Sequence, residues 1–421
     1  MQREFFPDST PIADWFYDVP GISLSDLGKQ YVITDYKIAD DGKVYTSEFQ
    51  ALIDDVSSNG GGVIVVPAGT YYTGALFLKS GVNLYIEENG VLKGSEDISD
   101  YPLCMTRIEG EVCRYFPALI NVDGADGVKI CGKGTIDGNG EKSWKAFWLR
   151  RQWNPKCTNK DEQRPRLLFV SNSQNVLVSG LKLQNSHFWT SHFYKCRYVK
   201  FLNNYVYSPA KPVAAPSTDA VDIDACTDVL IKNCRFHVND DAIALKGGKG
   251  PEADRQPENG ANERVLIEDC EYEFAHSCLT CGSESIHNRN IYVRNIKVGS
   301  AYHLLWLKMR LDTPSHYEYI TIENAAGNAS ELININPWKQ FFNMQGKDVA
   351  PRSFVNNITV RKCDMECAKY LNIRADNSQY ELSDFTLEDL RIKAKFKGCF
   401  EDAIKNLTVN NVTVDIENKT V

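Results

Sequence analysis

From about residue 175 onward, one short pattern of alternating apolar and polar positions repeats along the chain. Each copy reads as a short strand, a polar turn and a second short strand, as in Asn-Val-Leu-Val-Ser-Gly-Leu-Lys-Leu from residue 175. Further copies begin near residues 198, 228, 264, 290, 319, 357, 385 and 406, at intervals of 21 to 38 residues. Alternation over a few residues is typical of β-strands, and such intervals are typical of a solenoid.

No helical period separates the copies, which excludes a βαβ fold, and the Leu and Asn signature of a leucine-rich repeat is missing. The pattern therefore predicts an all-β chain, a right-handed parallel β-helix whose inward Val, Ile and Leu side chains stack as ladders. Segments 62–71, 82–86 and 128–138 fit the same coil. One place in the repeat carries a cysteine three times, which predicts a buried ladder of thiols at Cys234, Cys270 and Cys363.

A single amphipathic helix is predicted before the coils, over residues 47–56. Ser47 and Gln50 have the spacing of a capping box. The helix would cover the sheet edge that an open β-helix exposes. We expect an N-terminal extension over residues 1–30 and one β-helix domain over residues 31–421. The apolar face of the helix would consist of Phe49, Leu52, Ile53 and Val56.

Four long insertions interrupt the coils, at 104–117, 139–165, 207–218 and 249–263. Insertions in solenoids often gather on one face, frequently the binding face. The second insertion is rich in indoles and guanidinium groups, which suit stacking on sugars and pairing with carboxylates. Ordinary loop packing is the other interpretation. The residues concerned are Trp144, Trp148, Arg150, Arg151 and Trp153.

Composition narrows the possible partners. The net charge of −8 argues against nucleic acid, and the absence of an 18-residue apolar run argues against a membrane-spanning helix. The first residues lack the features of a signal peptide, so the protein is either cytosolic or has lost its leader. Thirteen cysteines leave at least one unpaired and match no zinc spacing, and Cys104 with Cys113 could close one loop as a disulfide.

Carboxylates recur at the interval of one coil. Asp219 lies 21 residues before the pair Asp240 and Asp241, so the three would gather on consecutive coils about 4.8 Å apart. His276 falls at the matching place one coil on, and Lys308 falls one coil further. Such crowding of like charge is costly and indicates either acid/base chemistry or a metal.

Glycoside hydrolysis uses this set of groups. One carboxyl group protonates the leaving oxygen and another activates water, and in inverting enzymes the two lie about 6.5–9.5 Å apart. Plainer interpretations remain for each residue, because Asp is common in turns, an isolated His is often structural and Lys308 could be a solvated surface residue. Asp222 and Asp224 share one face of the strand after Asp219 and would support the structure around it.

The motifs around these residues resemble those of the glycoside hydrolases of family 28, the polygalacturonase and rhamnogalacturonase group. The resemblance covers roughly residues 30 to 415. The Asn-Thr-Asp, Gly-Asp-Asp, Gly-His-Gly and Arg-Ile-Lys motifs of the family correspond in order to residues 217–219, 239–241, 275–277 and 306–308.

The resemblance implies a parallel β-helix and an inverting hydrolase with no metal or other cofactor. It implies that Asp240 is the general acid and that Asp219 and Asp241 hold the attacking water. It further implies that His276 tunes the protonation of the acid and that Lys308 binds a galacturonate carboxylate. The expected partner is a pectic polysaccharide or oligosaccharide, with no nucleic acid, no membrane and a monomeric chain.

One departure from the family bears on the substrate. Trp306 stands where polygalacturonases have an arginine expected to bind a uronate, and an indole instead packs against an apolar sugar face such as the methyl end of rhamnose. We therefore expect cleavage of rhamnogalacturonan, with homogalacturonan as the alternative. Arg310, two residues beyond Lys308, could restore the missing charge.

Two other classes of protein stay open. A β-helix lyase would use the aspartates to bind Ca²⁺, although His276 and Lys308 fit that chemistry poorly. A non-catalytic carbohydrate-binding solenoid would leave the three acids without a role. The long insertions favour exo action, by walling off one end of the groove. A polymer-degrading enzyme is expected to be secreted or periplasmic, its signal peptide having been removed.

Overall fold

Parallel strands wind into a right-handed β-helix, which confirms the fold predicted from the repeat. The computed structural model describes residues 4–19, 21–374, 376, 378–399 and 401–417. The first strands are β1 Gln30–Val32, β2 Gly62–Val66, β3 Gly69–Thr73, β4 Leu76–Leu78, β5 Val82–Ile86, β6 Gly90–Gly94, β7 Cys104–Ile108, β8 Glu111–Tyr115, β9 Ile120–Asp123, β10 Lys129–Gly132, β11 Thr135–Asp137, β12 Leu168–Ser171, β13 Gln174–Ser179, β14 Lys182–Gln184 and β15 Ser191–Tyr194. The remaining strands are β16 Arg197–Leu202, β17 Tyr205–Tyr207, β18 Val221–Asp224, β19 Thr227–Lys232, β20 Arg235–His237, β21 Ile243–Lys246, β22 Ala261–Glu268, β23 Glu271–Cys281, β24 His287–Arg310, β25 His316–Trp338, β26 Ser353–Arg361, β27 Asp364–Ile373, β28 Tyr380–Cys399 and β29 Ile404–Ile416.

Strand pairing divides each coil into three faces. The face that we call the site face runs through β4, β9, β12, β15, β18 and β21 and continues through the second halves of β23, β24 and β25. A second face, the back face, runs from β1 through β13, β16, β19 and β22 to the first halves of β24 and β25. The third face carries β3, β6, β11, β14, β17 and β20.

Left-handed turn residues set the shape of the coils. Near the start of each strand on the back face from β13 onward, one residue adopts φ between 53° and 59°. Asn and Asp tolerate this left-handed region better than most residues. A second left-handed position follows at the next corner, where Asn324 donates to Asn295 at 2.8 Å and Asn295 donates to Asp269 at 3.1 Å. The first set is Asn175, Tyr198, Asp228, Arg264, Asn290, Tyr319, Asn357, Asp384 and Asn406.

Inward ladders of aliphatic side chains fill the coil, as the alternation predicted. The predicted thiol ladder is also confirmed, since Cys234, Cys270 and Cys363 are each at most 2% exposed. The disulfide between Cys104 and Cys113 was a wrong prediction, because both thiols are free. The two cysteines lie on paired strands β7 and β8 but are out of register, Cys104 facing Tyr115 and Cys113 facing Thr106.

The predicted capping helix is α1, Thr46–Ser58, and its four apolar residues are buried against the first coils. The predicted capping box is absent, because the Ser47 hydroxyl bonds to Glu48 and no side chain caps the helix at Tyr45. Gln50 instead donates to the Phe77 carbonyl and accepts from the Phe77 N–H, which ties the helix to β4. The helix is therefore held by packing and by this side-chain bridge.

The N-terminal extension packs along the back face. Phe6, Ile12 and Phe16 are buried against an outward row of apolar residues that crosses successive coils. The Asp8 carboxylate lies 3.0 Å from the Arg289 guanidinium and fixes the extension there. The row on the back face consists of Leu177, Leu202, Leu230, Leu266 and Tyr292.

The insertions contact their neighbours, the second touching both the first and the third. The first is the β7–β8 hairpin, and the second contains a helix that the sequence pattern did not predict, α2, Glu141–Trp153. The Trp148 indole of α2 donates to the Ala214 carbonyl in the third insertion at 2.8 Å. Among the described residues, no helix is long and apolar enough to span a membrane.

Candidate active site

Alternation along the site face decides which side chains form the site. Val221 and Ile223 of β18 point into the core, so Asp222 and Asp224 point outward, and the same parity turns Ala244 and Lys246 outward on β21. The outward row through Asp222 continues to Thr280, Trp306 and Asn334 on later coils. These rows line a groove that runs parallel to the β-helix axis.

Three carboxylates meet at the start of β18 and β21. The Ala220 N–H donates to the Asp241 carbonyl, which aligns Asp219 with Asp241 on adjacent coils. One oxygen of Asp219, one of Asp240 and one of Asp241 all lie within 4.8 Å of one another. Asp241 is fully buried and Asp219 is 3% exposed, whereas the side chain of Asp240 is 28% exposed. Asp240 is therefore the carboxyl group most accessible from the groove.

Two cations offset part of this charge. Lys308 Nζ lies 2.7 Å from Asp241 Oδ2, and His276 Nδ1 lies 3.7 Å from Asp240 Oδ1. Burial raises the pKa of Asp240, but His276 and Lys308 outweigh burial and lower that pKa to about 2. Burial lowers the pKa of His276, but Asp240 outweighs it and raises that pKa above its ordinary value. A protonated imidazole and an ionised carboxylate therefore face each other, with Tyr302 stacked on the imidazole at 5.0 Å.

A third cation, Lys246, lies beneath the carboxylates. Its Nζ is 3.7 Å from Asp219, 3.6 Å from Asp222 and 3.7 Å from Glu284. Burial lowers the pKa of Lys246, but the Asp219, Glu284 and Asp222 carboxylates outweigh it and raise that pKa above its ordinary value. Burial raises the pKa of Glu284, but Lys246 and then Arg310 outweigh it and lower that pKa to about 2. Lys246 and Glu284 thus form a buried ion pair.

Two further carboxyl groups, Asp219 and Asp222, have raised pKa values and therefore favour the protonated form. Burial, followed by the charges of Asp240 and Asp222, raises the pKa of Asp219 well above its ordinary value. Burial likewise raises the pKa of Asp222 to about 8, and neither carboxyl oxygen of Asp222 has a hydrogen-bond partner among the described residues. Asp219 and Asp222 therefore have raised pKa values, whereas the pKa of Asp240 is lowered.

Towards the N-terminal coils, the site face carries a buried cluster that we call the arginine plug, Arg107, Arg166, His192 and Asp224. Arg107 Nε lies 3.0 Å from Asp224 Oδ2, and Arg166 donates to the Arg107 carbonyl at 2.8 Å. Each member is at most 1% exposed although His192 and Asp224 point outward from the sheet. Arg107 belongs to β7, so the hairpin carries the plug across the site face next to Asp222.

The groove continues towards the C-terminal coils, where indoles and amides line it. Lys308 Nζ lies 4.1 Å from the centroid of the Trp306 ring and 5.0 Å from that of Trp338. Among the described residues, the buried Nε1 atoms of both indoles and Oδ1 of Asn336 have no hydrogen-bond partner. Buried polar groups are normally paired, so these atoms are available to hydrogen-bond with a ligand or with water.

A family model for glycosyl hydrolases family 28 matches residues 63–303, which is more than half of the chain and includes four of the acid/base residues. The chain belongs to glycosyl hydrolases family 28. Trp306 and Lys308 lie just beyond the matched segment, on the strand β24 in which it ends.

Individual relatives are more distant. The chain is 29% identical over 220 residues to a probable polygalacturonase of Vitis vinifera, covering 50% of this chain and 43% of that protein. It is 31% identical over 213 residues to endo-xylogalacturonan hydrolase A of Aspergillus tubingensis, covering 49% and 47%. The chain thus aligns with about half the length of these curated relatives.

The shared fold extends further than the shared sequence. The crystal structure of a hyperthermoactive exopolygalacturonase from Thermotoga maritima superposes with a TM-score of 0.75, over 92% of this chain and 94% of that one, at 21% identity. At that identity the likeness shows the family 28 β-helix fold and leaves the chemistry to be argued from the site.

The family 28 site contains most of the residues singled out in the sequence. The structure brings Asp219, Asp240, Asp241, His276 and Lys308 together, with Trp306 beside Lys308. Arg310 lies apart from the groove surface, fully buried and bonded through Nε and Nη2 to Asp312 at 2.7 Å and 2.8 Å. Asp224 serves the arginine plug, whereas Asp222 lies in the carboxylate cluster itself.

Most of the ring and guanidinium groups singled out in the second insertion make packing contacts and ion pairs within the protein. Trp144 is buried and donates to the Ser186 carbonyl, while Arg150 and Arg151 both pair with Glu162. Of its ring and guanidinium groups, Trp153 is the most exposed, at 82%. Among the groups that the sequence did not reveal are Lys246, Glu284 and also Glu331, whose carboxylate lies 3.0 Å from His303 Nδ1. The outward parity of β21 could have revealed Lys246, but nothing in the repeat marks the two glutamates.

Proposed function

We propose that the protein is an inverting exo-acting hydrolase of galacturonate-containing pectin. The observation that carries this proposal is the cluster of three carboxylates, of which only Asp240 reaches the groove, paired with His276 and Lys308 beside a closed groove end. The names of the aligned relatives, a probable polygalacturonase and an endo-xylogalacturonan hydrolase, both point to a galacturonan backbone.

Asp240 and His276 act together as the general acid. They share one proton, which lies on the imidazole in the free site because Asp240 is ionised. Transfer of that proton to Asp240, and from Asp240 to the glycosidic oxygen, allows the leaving sugar to depart as an alcohol. The separation of 3.7 Å between their nearest atoms shortens when the substrate orders the groove, because catalytic contacts are commonly long in a free enzyme.

Asp241 and Asp219 hold the attacking water. Asp241, paired with Lys308 at 2.7 Å, acts as the base, and the protonated Asp219 orients the water from the neighbouring coil. The nearest oxygens of the three aspartates are closer than the usual spacing in inverting enzymes, which is about 6.5–9.5 Å. We nevertheless favour inversion, because Asp219 and Asp241 are too buried to bond to a sugar carbon, whereas Asp219 keeps a 3% exposed edge that a water molecule can contact.

Exo action follows from the closed end of the groove. The arginine plug occupies the site face next to Asp222, so a polysaccharide chain cannot continue past the aspartates in that direction. The departing part of the chain extends over Trp306 and Lys308. The unit released from the closed end is then the terminal residue at the non-reducing end.

The open half of the groove supports a rhamnogalacturonan substrate. Lys308 spends one of its three donors on Asp241 and can give the others to a galacturonate carboxylate. The indole of Trp306 beside it offers an apolar face and an unpaired Nε1. One coil further, the Glu331 carboxylate lies beside the outward row of Trp306 and Asn334, because the Asn334 side-chain amide donates to it. A second uronate there would meet a like charge, whereas a neutral rhamnose would not.

Changing Glu331 to Gln tests this selectivity. Burial raises the pKa of Glu331, but His303 and then Asn372 outweigh burial and lower that pKa, so the side chain is ionised near neutral pH. The variant should raise kcat/KM for polygalacturonate about 5- to 10-fold relative to that for rhamnogalacturonan oligosaccharides, an effect of about 1–1.4 kcal/mol. Glu323→Gln, which removes a carboxylate from a cluster with Arg361 and Lys362 on the back face, is the control and should leave the ratio unchanged.

His276 should set the alkaline limb of the pH profile. The shared proton leaves when pH rises through the raised pKa of His276, which lies above 6.5, and activity then falls. In His276→Asn the proton must reside on Asp240 alone, so the alkaline limb should move to lower pH and kcat should fall about 10²-fold. His237→Asn, which removes another imidazole paired with a glutamate, should keep the wild-type profile. An unchanged limb in His276→Asn would contradict the shared proton.

The size distribution of products over time tests the function as a whole. Polygalacturonate and rhamnogalacturonan oligosaccharides are each incubated without added calcium, and products are separated by chromatography. The proposal predicts single saturated galacturonate units from the first time point, with rhamnogalacturonan the better substrate. Early release of mixed oligomers would show endo action, and a preference for polygalacturonate would discard the rhamnose subsite.

A calcium-dependent lyase is the main rival. Its aspartates would supply some of the six to eight oxygen ligands that Ca²⁺ takes. Here Lys308 and His276 already pair with two of the three aspartates, which leaves the cluster poorly suited to a divalent cation. A lyase would release unsaturated products that absorb in the ultraviolet, so the same chromatogram separates the two chemistries.

The proposed substrate also bears on localisation. A pectic polysaccharide is degraded outside the cytoplasm, which agrees with a secreted or periplasmic protein.

A further inference from the structure

Two histidines and a glutamate converge on the back face, far along the chain from the aspartates of the site. His287 and His316 lie directly opposite each other on the adjacent strands β24 and β25. Their rings are parallel within 4° and their centroids are 5.2 Å apart. Glu318 follows His316 by two residues, so its side chain points to the same side of the sheet.

The donor atoms of the three side chains point at one another. Glu318 Oε1 lies 2.9 Å from His287 Nε2, and Glu318 Oε2 lies 3.7 Å from His316 Nε2. All three ligand atoms lie within 4.8 Å of one another. The side-chain amide of Asn356, on the next strand, lies 2.9 Å from His316 Nε2.

We propose that His287, His316 and Glu318 bind one borderline divalent transition-metal ion, with Zn²⁺ as the natural occupant. Two imidazole nitrogens and one carboxylate are a common protein ligand set for zinc, and the half-exposed histidines leave the fourth position open to water. Ca²⁺ and Mg²⁺ prefer oxygen ligands and would bind this set weakly. The bound ion would replace the contacts between Glu318 and the imidazoles and clip two successive coils together.

The charges around the cluster permit a cation. Arg289 lies 4.0 Å from Glu318, but its guanidinium is also held by Asp8 of the N-terminal extension at 3.0 Å. The positive charge nearest to the cluster therefore already has a carboxylate of its own. The ion would lie beside the point where the extension is fixed to the back face, so its binding should stabilise the folded chain.

Isothermal titration with Zn²⁺, on full-length protein without a histidine tag and after treatment with a chelator, tests the site. We expect one ion per chain, a rise in the thermal midpoint on adding Zn²⁺, and affinity at least about tenfold lower in both His316→Gln and Glu318→Gln. His237→Gln is the matched control, because His237 faces a single glutamate and no second histidine, and it should bind like the wild type.

Thermal midpoints in chelator show whether each variant is folded before it is titrated. Binding of zinc by the His287→Gln, His316→Gln double variant with wild-type affinity would overturn the proposal and place the ion elsewhere, as would the absence of zinc binding by the wild type. Substituting Mg²⁺ for Zn²⁺ separates the two kinds of cation site, since tight Mg²⁺ binding would contradict the proposed ligand set.

Discussion

Replacing Asp240 with Asn should lower kcat by about 10²–10⁴-fold while the protein stays folded. Asp240 is the carboxyl group of the cluster with the most exposed edge, and in the proposed mechanism it passes the His276 proton to the leaving oxygen. An amide of the same shape cannot take up that proton, and it has no negative charge to pair with the imidazolium. KM should change little, because the amide still occupies the same space and the binding groups along the groove are untouched.

Asp228→Asn is the matched control for Asp240→Asn. Asp228 is a buried aspartate on the back face that bridges Arg197 and Arg264, and its loss should reduce stability without reducing kcat. Steady-state kinetics and circular dichroism on both variants make the comparison. Retention of more than a tenth of the wild-type kcat by folded Asp240→Asn would show that another group delivers the proton.

Replacing Lys246 with Met should have the second-largest effect, on stability and on activity together. Lys246 is 4% exposed and lies within 4 Å of carboxylate oxygens of Asp219, Asp222 and Glu284. Removing one partner of a buried ion pair typically costs about 3–5 kcal/mol, because the other charge is left without compensation. Glu284 would then take up a proton or disturb the cluster, so kcat should fall even in the folded fraction.

The loss in Lys246→Met should depend on pH in a defined direction. Lys246 holds the pKa of Glu284 down, to about 2, so the stability that Glu284 contributes is present above its ordinary pKa and is lost as pH falls towards 2. Without Lys246 that pKa rises, so the variant should be closest to the wild type in stability at low pH and furthest from it at neutral pH. Chemical denaturation at several pH values measures this difference.

Lys200→Met controls for the removal of a buried lysine. Lys200 is 7% exposed on the back face, where it approaches Asp18 of the N-terminal extension at 3.6 Å, and it has no part in the groove. Its substitution should cost little activity at any pH. A stability loss in Lys246→Met that is equal at pH 4 and pH 8 would contradict the role assigned to the Lys246–Glu284 pair.

The fold was predictable because the same pattern of apolar and polar residues recurs in every repeat. Alternation fixes which residues of each strand point inward, and nine copies leave little freedom for another architecture. The column of Asp219, Asp240, His276 and Lys308 follows from the same regularity, since residues one coil apart become neighbours. The predicted capping box at Ser47 does not form, because the Gln50 side chain bonds to the Phe77 backbone instead of to the start of its own helix.

The groups that the sequence did not reveal come from places where the repeat is broken. The arginine plug joins Arg107 of the hairpin to Asp224 of a coil, 117 residues away, and no local pattern connects them. The α2 helix was not predicted because its apolar residues do not form a single face. Its buried residues are Trp144 and Phe147. The position of the site's protons depends on the summed charge of many coils, which spacing alone does not give.

The stereochemistry of the first product tests the central claim most directly. Proton NMR is recorded during the first minutes of rhamnogalacturonan cleavage, before the released galacturonate equilibrates between its anomers. The account predicts saturated galacturonate with its anomeric configuration inverted relative to the cleaved bond, because a water held by Asp219 and Asp241 attacks directly. Retained configuration would mean that one of these aspartates bonds to the sugar, and unsaturated product would mean that the protein is a lyase.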